Sequence, residues 1–268
     1  MVLQNPLKLP GKVYAAPSGS PLDALQRMGS GDARDHLVQA MLGSMKTPKE
    51  QKWQHGQGIP EIDVELDSTR KVTLPAKTAK DLEDAVKQVG GRRDPTPAET
   101  LRIQAQQFRP EVMMAVMCNL DSWVAKHGPA WSWTLFAVDV AAWYAANVVA
   151  VAKMAVQLER PTFAKFPGHA ASAVISVPRY SAYPAGHATI VHAVKVVLDC
   201  VMAKAGPHIQ IATSKMANDV IEGRERARLH TRFDSDAGAI LGAEVGDALL
   251  KSANTDWKAV LDAAKEEW

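Results

Sequence analysis

The chain has 268 residues, 47% of them hydrophobic, which is enough for one large buried core and excludes a disordered or fibrous protein. Its 31 basic and 29 acidic residues leave a net charge of +2, too balanced for the basic footprint of a nucleic-acid-binding domain. Two cysteines, Cys118 and Cys200, lie in apolar helical surroundings without CxxC spacing and read as buried free thiols rather than a disulfide or thiolate metal site.

The first nineteen residues, MVLQNPLKLPGKVYAAPSG, carry Pro and Lys throughout and lack the continuous apolar core of a secretory signal, so the expected location is the cytoplasm. Up to about residue 60 the chain is rich in Pro, Gly and polar residues, with one amphipathic helix expected over 32–44, where HLVQAMLGS supplies the apolar face. Residues 61–74, EIDVELDSTRKVTL, alternate apolar and polar about an Asp-Ser-Thr-Arg turn and predict a short β-hairpin. Helical spacing follows over 78–89 and stops at GGRRDPTP.

Further helices are expected over 97–108, 110–126, 130–157, 187–205, 209–228 and 234–252, with a tail helix over 257–268. The apolar window 130–152 is interrupted by Asp139 and Asn147 and runs into Lys153, which reads as a buried core helix and not a membrane span. The fold expected is therefore all-α, a helical bundle with an irregular N-terminal portion and one short hairpin. Residues 1–95 would form an arm packed on a catalytic domain of residues 96–268. Trp123, Trp131, Trp133 and Trp143 suit the core or a subunit interface, and a homodimer or higher homo-oligomer is expected.

Three strings carry chemistry. Lys153 sits in VVAVAKMAV, where a buried ammonium needs an anion, and Arg160-Pro161 follows seven residues later, close to two helical turns on. The alternatives for this pair are a lysine snorkelling to solvent and an arginine at the helix C-terminus. SAYPAGHATI places Gly186 and His187 where an apolar helix begins, so backbone N–H groups and an imidazole share one helix end; a plain turn before a capped helix satisfies the same string. In GRERARLHTRFDSDAG, His230 and Asp234 are four apart. If the helix starts early enough, Asp234 can accept from one ring nitrogen and free the other. Arg226, Arg228 and Arg232 read as a solvated basic face, and His36, His55, His127 and His208 show no ligand spacing. His169, in FPGHAAS, and His192, five residues beyond His187, read as incidental.

Taken in order, K-x6-RP from Lys153 to Pro161, P-x-GH from Pro184 to His187 and R-x5-H-x3-D from Arg224 to Asp234 resemble the signature of a superfamily. It joins vanadium-dependent haloperoxidases, type 2 phosphatidic acid phosphatases (PAP2) and bacterial class A acid phosphatases. The match covers roughly the C-terminal half of the chain. The resemblance implies that Lys153, Arg160, Arg224 and the Gly186 backbone N–H hold a tetrahedral oxyanion, vanadate or phosphate. His230 would be the axial vanadium ligand or the phosphoryl-accepting nucleophile, Asp234 would orient its ring, and His187 would act as acid and base. In a haloperoxidase the cofactor is vanadate and the partners are hydrogen peroxide and a halide, oxidised to a hypohalous species. In an acid phosphatase the substrate is a phosphate ester, the intermediate a phosphohistidine, and no cofactor is needed. The strings HTRFDSDAG and YPAGHAT are more similar to the haloperoxidase branch.

Three departures stand out against that pattern. Ala185 replaces a serine, which removes a hydroxyl donor to the oxyanion. Gly223 replaces a serine before the arginine. Tyr180 stands at a position associated with halide handling, and Ala150 replaces a bulkier or cationic residue; together they imply oxidation of bromide or iodide in preference to chloride.

Overall fold

Residues 30–42, 58–67, 69–106, 132–163 and 174–268 are described by a computed structural model. Among them the chain is all-α with one short β-hairpin. The expected helix over 110–126 lies outside the described residues, as do Cys118, Trp123, Trp131 and His169. The helices are α1 (Ser30–Leu42), α2 (Ala79–Gly90), α3 (Pro97–Ala105), α4 (Ser132–Ala155), α5 (Gly186–Val201), α6 (His208–Arg226), α7 (Arg232–Leu250) and α8 (Thr255–Lys265). The hairpin pairs β1 (Ile62–Glu65) with β2 (Lys71–Leu74), antiparallel, with Ile62 opposite Leu74.

Local chemistry sets half of the described helix starts. Thr78, Thr96 and Thr231 each accept from the backbone N–H three residues on, while Asp81, Glu99 and Asp234 reach back to the threonine N–H, completing three capping boxes. Asn254 caps α8 through the Trp257 N–H. At the start of α4 the cap comes from the other end of the chain: the buried Glu267 carboxylate accepts from the Trp133 and Thr134 N–H groups, each at 2.9 Å, and from the Thr134 hydroxyl at 2.7 Å. The hairpin turn is closed by Asp67, whose Oδ1 accepts from the backbone of Thr69 and Arg70.

Ile62, Val64, Val72 and Leu74 turn one face of the hairpin inward, and they join Ala33 and Leu37 of α1 in the same hydrophobic core as α4, α5, α7 and α8. α4 is long and apolar enough to cross a membrane by length and composition, and 67% of its apolar window is buried in the bundle. The charge that interrupts it, Asp139, pairs at 3.3 Å with Arg34 of α1, whose guanidinium lies 4.6 Å over the Trp143 ring. A polar residue inside an apolar helix is thus satisfied by the N-terminal part of the chain.

α5 is the centre of the bundle, packed between α4, α6 and α7. Among the described elements its packing against α7 is the most extensive, and α7 presents glycine at every fourth position there. A Cβ at Gly238 would stand 2.4 Å from Ala185 O, one at Gly242 2.2 Å from Thr189 O, and one at Gly246 2.6 Å from Val196 Cβ. Two of these three obstacles are backbone atoms of α5 and its N-cap, which cannot swing aside. We expect Gly242→Ala to destabilise the fold by about 2–3 kcal/mol, measured as a lower urea midpoint at unchanged slope. A midpoint equal to that of the parent chain would show that the helices can separate freely.

Candidate active site

The site forms where five segments end together: the last turn of α4, the strand-like stretch after it, the start of α5, the last turn of α6 and the loop into α7. The tie between the two helix starts is a backbone bond from Ala185 N to Asp234 O at 2.9 Å. Between these segments lies a partly open cavity of about 50 Å³, several times the space that one water requires. Arg160, Gly186, His187, Arg224 and His230 line it, together with Ile175, Pro178 and Tyr180.

Lys153 is 9% exposed and its ammonium donates to Ser181 O at 2.6 Å and Ala182 O at 3.2 Å. It stands behind the cavity rather than in its lining, with its Cε against Gly186. α4 stops at Ala155, so Arg160 is not two helical turns below Lys153, as the spacing suggests. It lies in the following extended stretch, just before the 3₁₀ turn Pro161–Phe163. The two cations still converge, because the Tyr180 ring has Lys153 Nζ at 5.5 Å and the Arg160 guanidinium at 5.0 Å from its centre. Tyr180 itself is 60% exposed. Arg224, 2% exposed in the last turn of α6, donates to Ile103 O at the C-terminal end of α3 at 2.5 Å.

His230 and Asp234 do not share a helix. Thr231 is the N-cap of α7, so His230 precedes the helix and Asp234 is its third residue. The Asp234 Oδ2 accepts from the Thr231 N–H at 2.7 Å, and it lies 3.8 Å from His230 Nδ1, an ion-pair distance but too long for a hydrogen bond. The expected hydrogen bond from the His230 ring to Asp234 is therefore replaced by a longer ion-pair contact, with the same oxygen serving the capping box. What fixes the ring is Arg160, whose Nη1 is 3.2 Å from His230 Nε2 and 3.1 Å from Leu229 O. A guanidinium can only donate, so Nε2 must be the accepting nitrogen and Nδ1 carries the proton. In this tautomer the Nε2 lone pair is taken by Arg160, and both residues line the cavity.

Among the described residues three buried cations, Lys153, Arg160 and Arg224, thus share one nearby buried carboxylate, Asp234. Their hydrogen bonds go to backbone carbonyls and, from Arg160, to the neutral His230 ring, none of which carries a full negative charge. Burial, then the charge of Arg160, pushes Lys153 down to about 7, with Asp234 opposing. Burial likewise lowers Arg224 to about 10 and His230 to about 4, and it holds His187 well below 6.5 with the help of Arg224 and His230. Both histidines are neutral near pH 7. The guanidinium Nε atoms of Arg160 and Arg224 and the Asp234 Oδ1 have no partner among the described residues. α5 also begins at Gly186 without a side-chain cap, because its N-cap is Ala185, so its first N–H groups face the cavity end undiverted. The arrangement is complementary to a small anion of two or more negative charges.

The sequence did not reveal Ile103 O as the acceptor for Arg224, nor the cavity lining made by Ile175 and Pro178. Backbone acceptors leave no residue signature. The glycine spacing on α7 was visible as Gly238-x3-Gly242-x3-Gly246 and is the signal that locates the helix crossing. His192 bonds Ala188 O within α5 and stays out of the cavity. The chain matches no protein-family model, and no curated protein sequence is significantly similar to it.

The depressed Lys153 ammonium gives a signed test. Above about pH 7 the folded chain sheds this proton, whereas the unfolded chain keeps it to about 10.5. The unfolded state binds more protons in that window, so stability rises with pH there relative to a chain lacking the lysine. The difference in unfolding free energy between the parent chain and Lys153→Met should move in favour of the parent from pH 7 to pH 10. A flat difference across that range would mean that the ammonium is not buried.

Proposed function

We propose that the chain is a vanadate-dependent haloperoxidase that oxidises bromide or iodide with hydrogen peroxide to a hypohalous species. The observation that carries the reading is the convergence of Arg160, Arg224, the uncapped start of α5 and His230 Nε2 on one cavity. Orthovanadate fits this donor set. Its negative charge complements the buried cations, the cavity is larger than one water needs, and the guanidinium Nε atoms that have no partner among the described residues supply donors. Bound vanadate supplies Lewis-acid activation of peroxide toward two-electron oxidation of a halide.

The residues have separable parts in this reading. Arg160 and Arg224 would hold oxygens of the anion, and the Gly186 N–H would add a donor at the helix end. Lys153, one layer behind, sets the charge of the pocket and stiffens the chain at Ser181 and Ala182. Arg160 donates to the Nε2 lone pair of His230; an oxyanion that engaged the guanidinium would free that lone pair to serve as the protein's ligand to the central atom, and the Asp234 carboxylate favours positive charge on that ring. His187, neutral when the pocket holds no anion, gains proton affinity once negative charge arrives beside it, so it can take a proton from peroxide and return it. Tyr180 forms the wall from which halide approaches. The same lone pair and cations suit phosphoryl transfer, so a soluble acid phosphatase working through a phosphohistidine is the competing reading. The motif strings HTRFDSDAG and YPAGHAT favour the peroxidase.

Purified protein given orthovanadate, hydrogen peroxide and bromide should brominate monochlorodimedone, and a vanadate-free control should not. Bromide or iodide should be turned over faster than chloride. His230→Ala should lower bromination by at least about a hundredfold. Hydrolysis of p-nitrophenyl phosphate inhibited by vanadate, with no bromination, would overturn the peroxidase and establish the phosphatase.

A further inference from the structure

The turn that presents His230 is held by a side chain that belongs to none of the three motifs. α6 ends at Arg226, and the chain then passes through Arg228 with φ 56°, a left-handed conformation that residues with a side chain avoid. Such a residue persists only where its surroundings over-determine it. Here the peptide unit between Arg228 and Leu229 is pinned at both of its polar ends. Leu229 N donates to Arg224 O at 3.1 Å, and Arg228 O accepts from the Thr162 hydroxyl. The next carbonyl, Leu229 O, accepts from Arg160 Nη1 at 3.1 Å. Residues 160 and 162 therefore clasp two consecutive carbonyls immediately before His230. A tie from the Arg228 guanidinium to Asp94 reaches a carboxylate that is 82% exposed and holds weakly.

We propose that Thr162 is a positioning residue for His230. Its hydroxyl keeps the Arg228–Leu229 peptide from rotating out of the left-handed turn, and so keeps His230 Nε2 against Arg160 Nη1 with the proton on Nδ1. The functional consequence rests on the oxyanion reading of the cavity; the effect on the ring does not. Without the hydroxyl, the peptide unit keeps its bond from Leu229 N to Arg224 O and can turn about it, which moves Leu229 O off Arg160 and costs the imidazole the donor that selects its tautomer.

The test uses the full chain labelled with nitrogen-15 histidine, with the His230 signals assigned by their loss in His230→Gln. The parent chain and Thr162→Ser should show one His230 tautomer, protonated at Nδ1. Thr162→Val, which keeps the shape and removes the donor, should show a mixture of tautomers. Titration calorimetry with inorganic orthovanadate should find binding about tenfold weaker in Thr162→Val and within about twofold of the parent in Thr162→Ser. Thr162→Ala, with the same expectation as valine, serves if the valine chain does not fold. A Thr162→Val chain with the parent tautomer and affinity overturns the proposal, as do serine and valine chains that change alike. A parent chain with the expected tautomer that binds no orthovanadate upholds the role of Thr162 and overturns the oxyanion reading instead.

Discussion

The close crossing of α5 and α7 is the constraint on which the site depends. Glycines at 238, 242 and 246 let α7 lie against the backbone of α5, and that contact brings the two helix N-termini side by side. Ala185 N then bonds Asp234 O, so the helix start bearing Gly186 and His187 is fixed relative to the one that follows His230. A methyl group at any of the three glycines would push the helices apart and, with them, the two histidines. The precision of the site is thus inherited from packing several turns away from it.

Around this crossing the protein gathers positive charge without cancelling it. Lys153, Arg160 and Arg224 each spend hydrogen bonds on main-chain carbonyls, at Ser181 and Ala182, Leu229 and Ile103 respectively. A carbonyl satisfies a donor but carries no full charge, so the field of the cation survives. The depressed Lys153 and His230 values record that cost. A pocket that keeps its cations at a cost in stability is preorganised for an anion, since the binding partner need not compete with a carboxylate.

Carbonyl acceptors also make the turns around the site interdependent. Arg160 serves Leu229 O and His230 Nε2 together, Thr162 serves Arg228 O, and Arg224 O serves Leu229 N. One side chain therefore both meets the cavity and locks the loop that brings the second cavity residue. Asp234 shows the same economy: it caps α7 through Thr231 and lies within ion-pair distance of His230.

The sequence by itself determined the helices, the hairpin and the identity of the polar cluster, because each is encoded locally. Capping boxes at Thr78, Thr96 and Thr231 and alternation at Ile62–Glu65 act within a few residues of themselves. The motif strings around Lys153, His187 and His230 similarly named the residues that the fold brings together. Tertiary structure alone decided how those residues serve one another. It ended α4 at Ala155 and left Arg160 outside the helix, held Asp234 at ion-pair rather than hydrogen-bond distance from His230, and chose Ile103 O and Leu229 O as acceptors. It also capped α4 with Glu267 from the far end of the chain. Backbone acceptors have no residue type, and contacts across more than a hundred residues have no spacing, so neither leaves a local pattern from which it could be read.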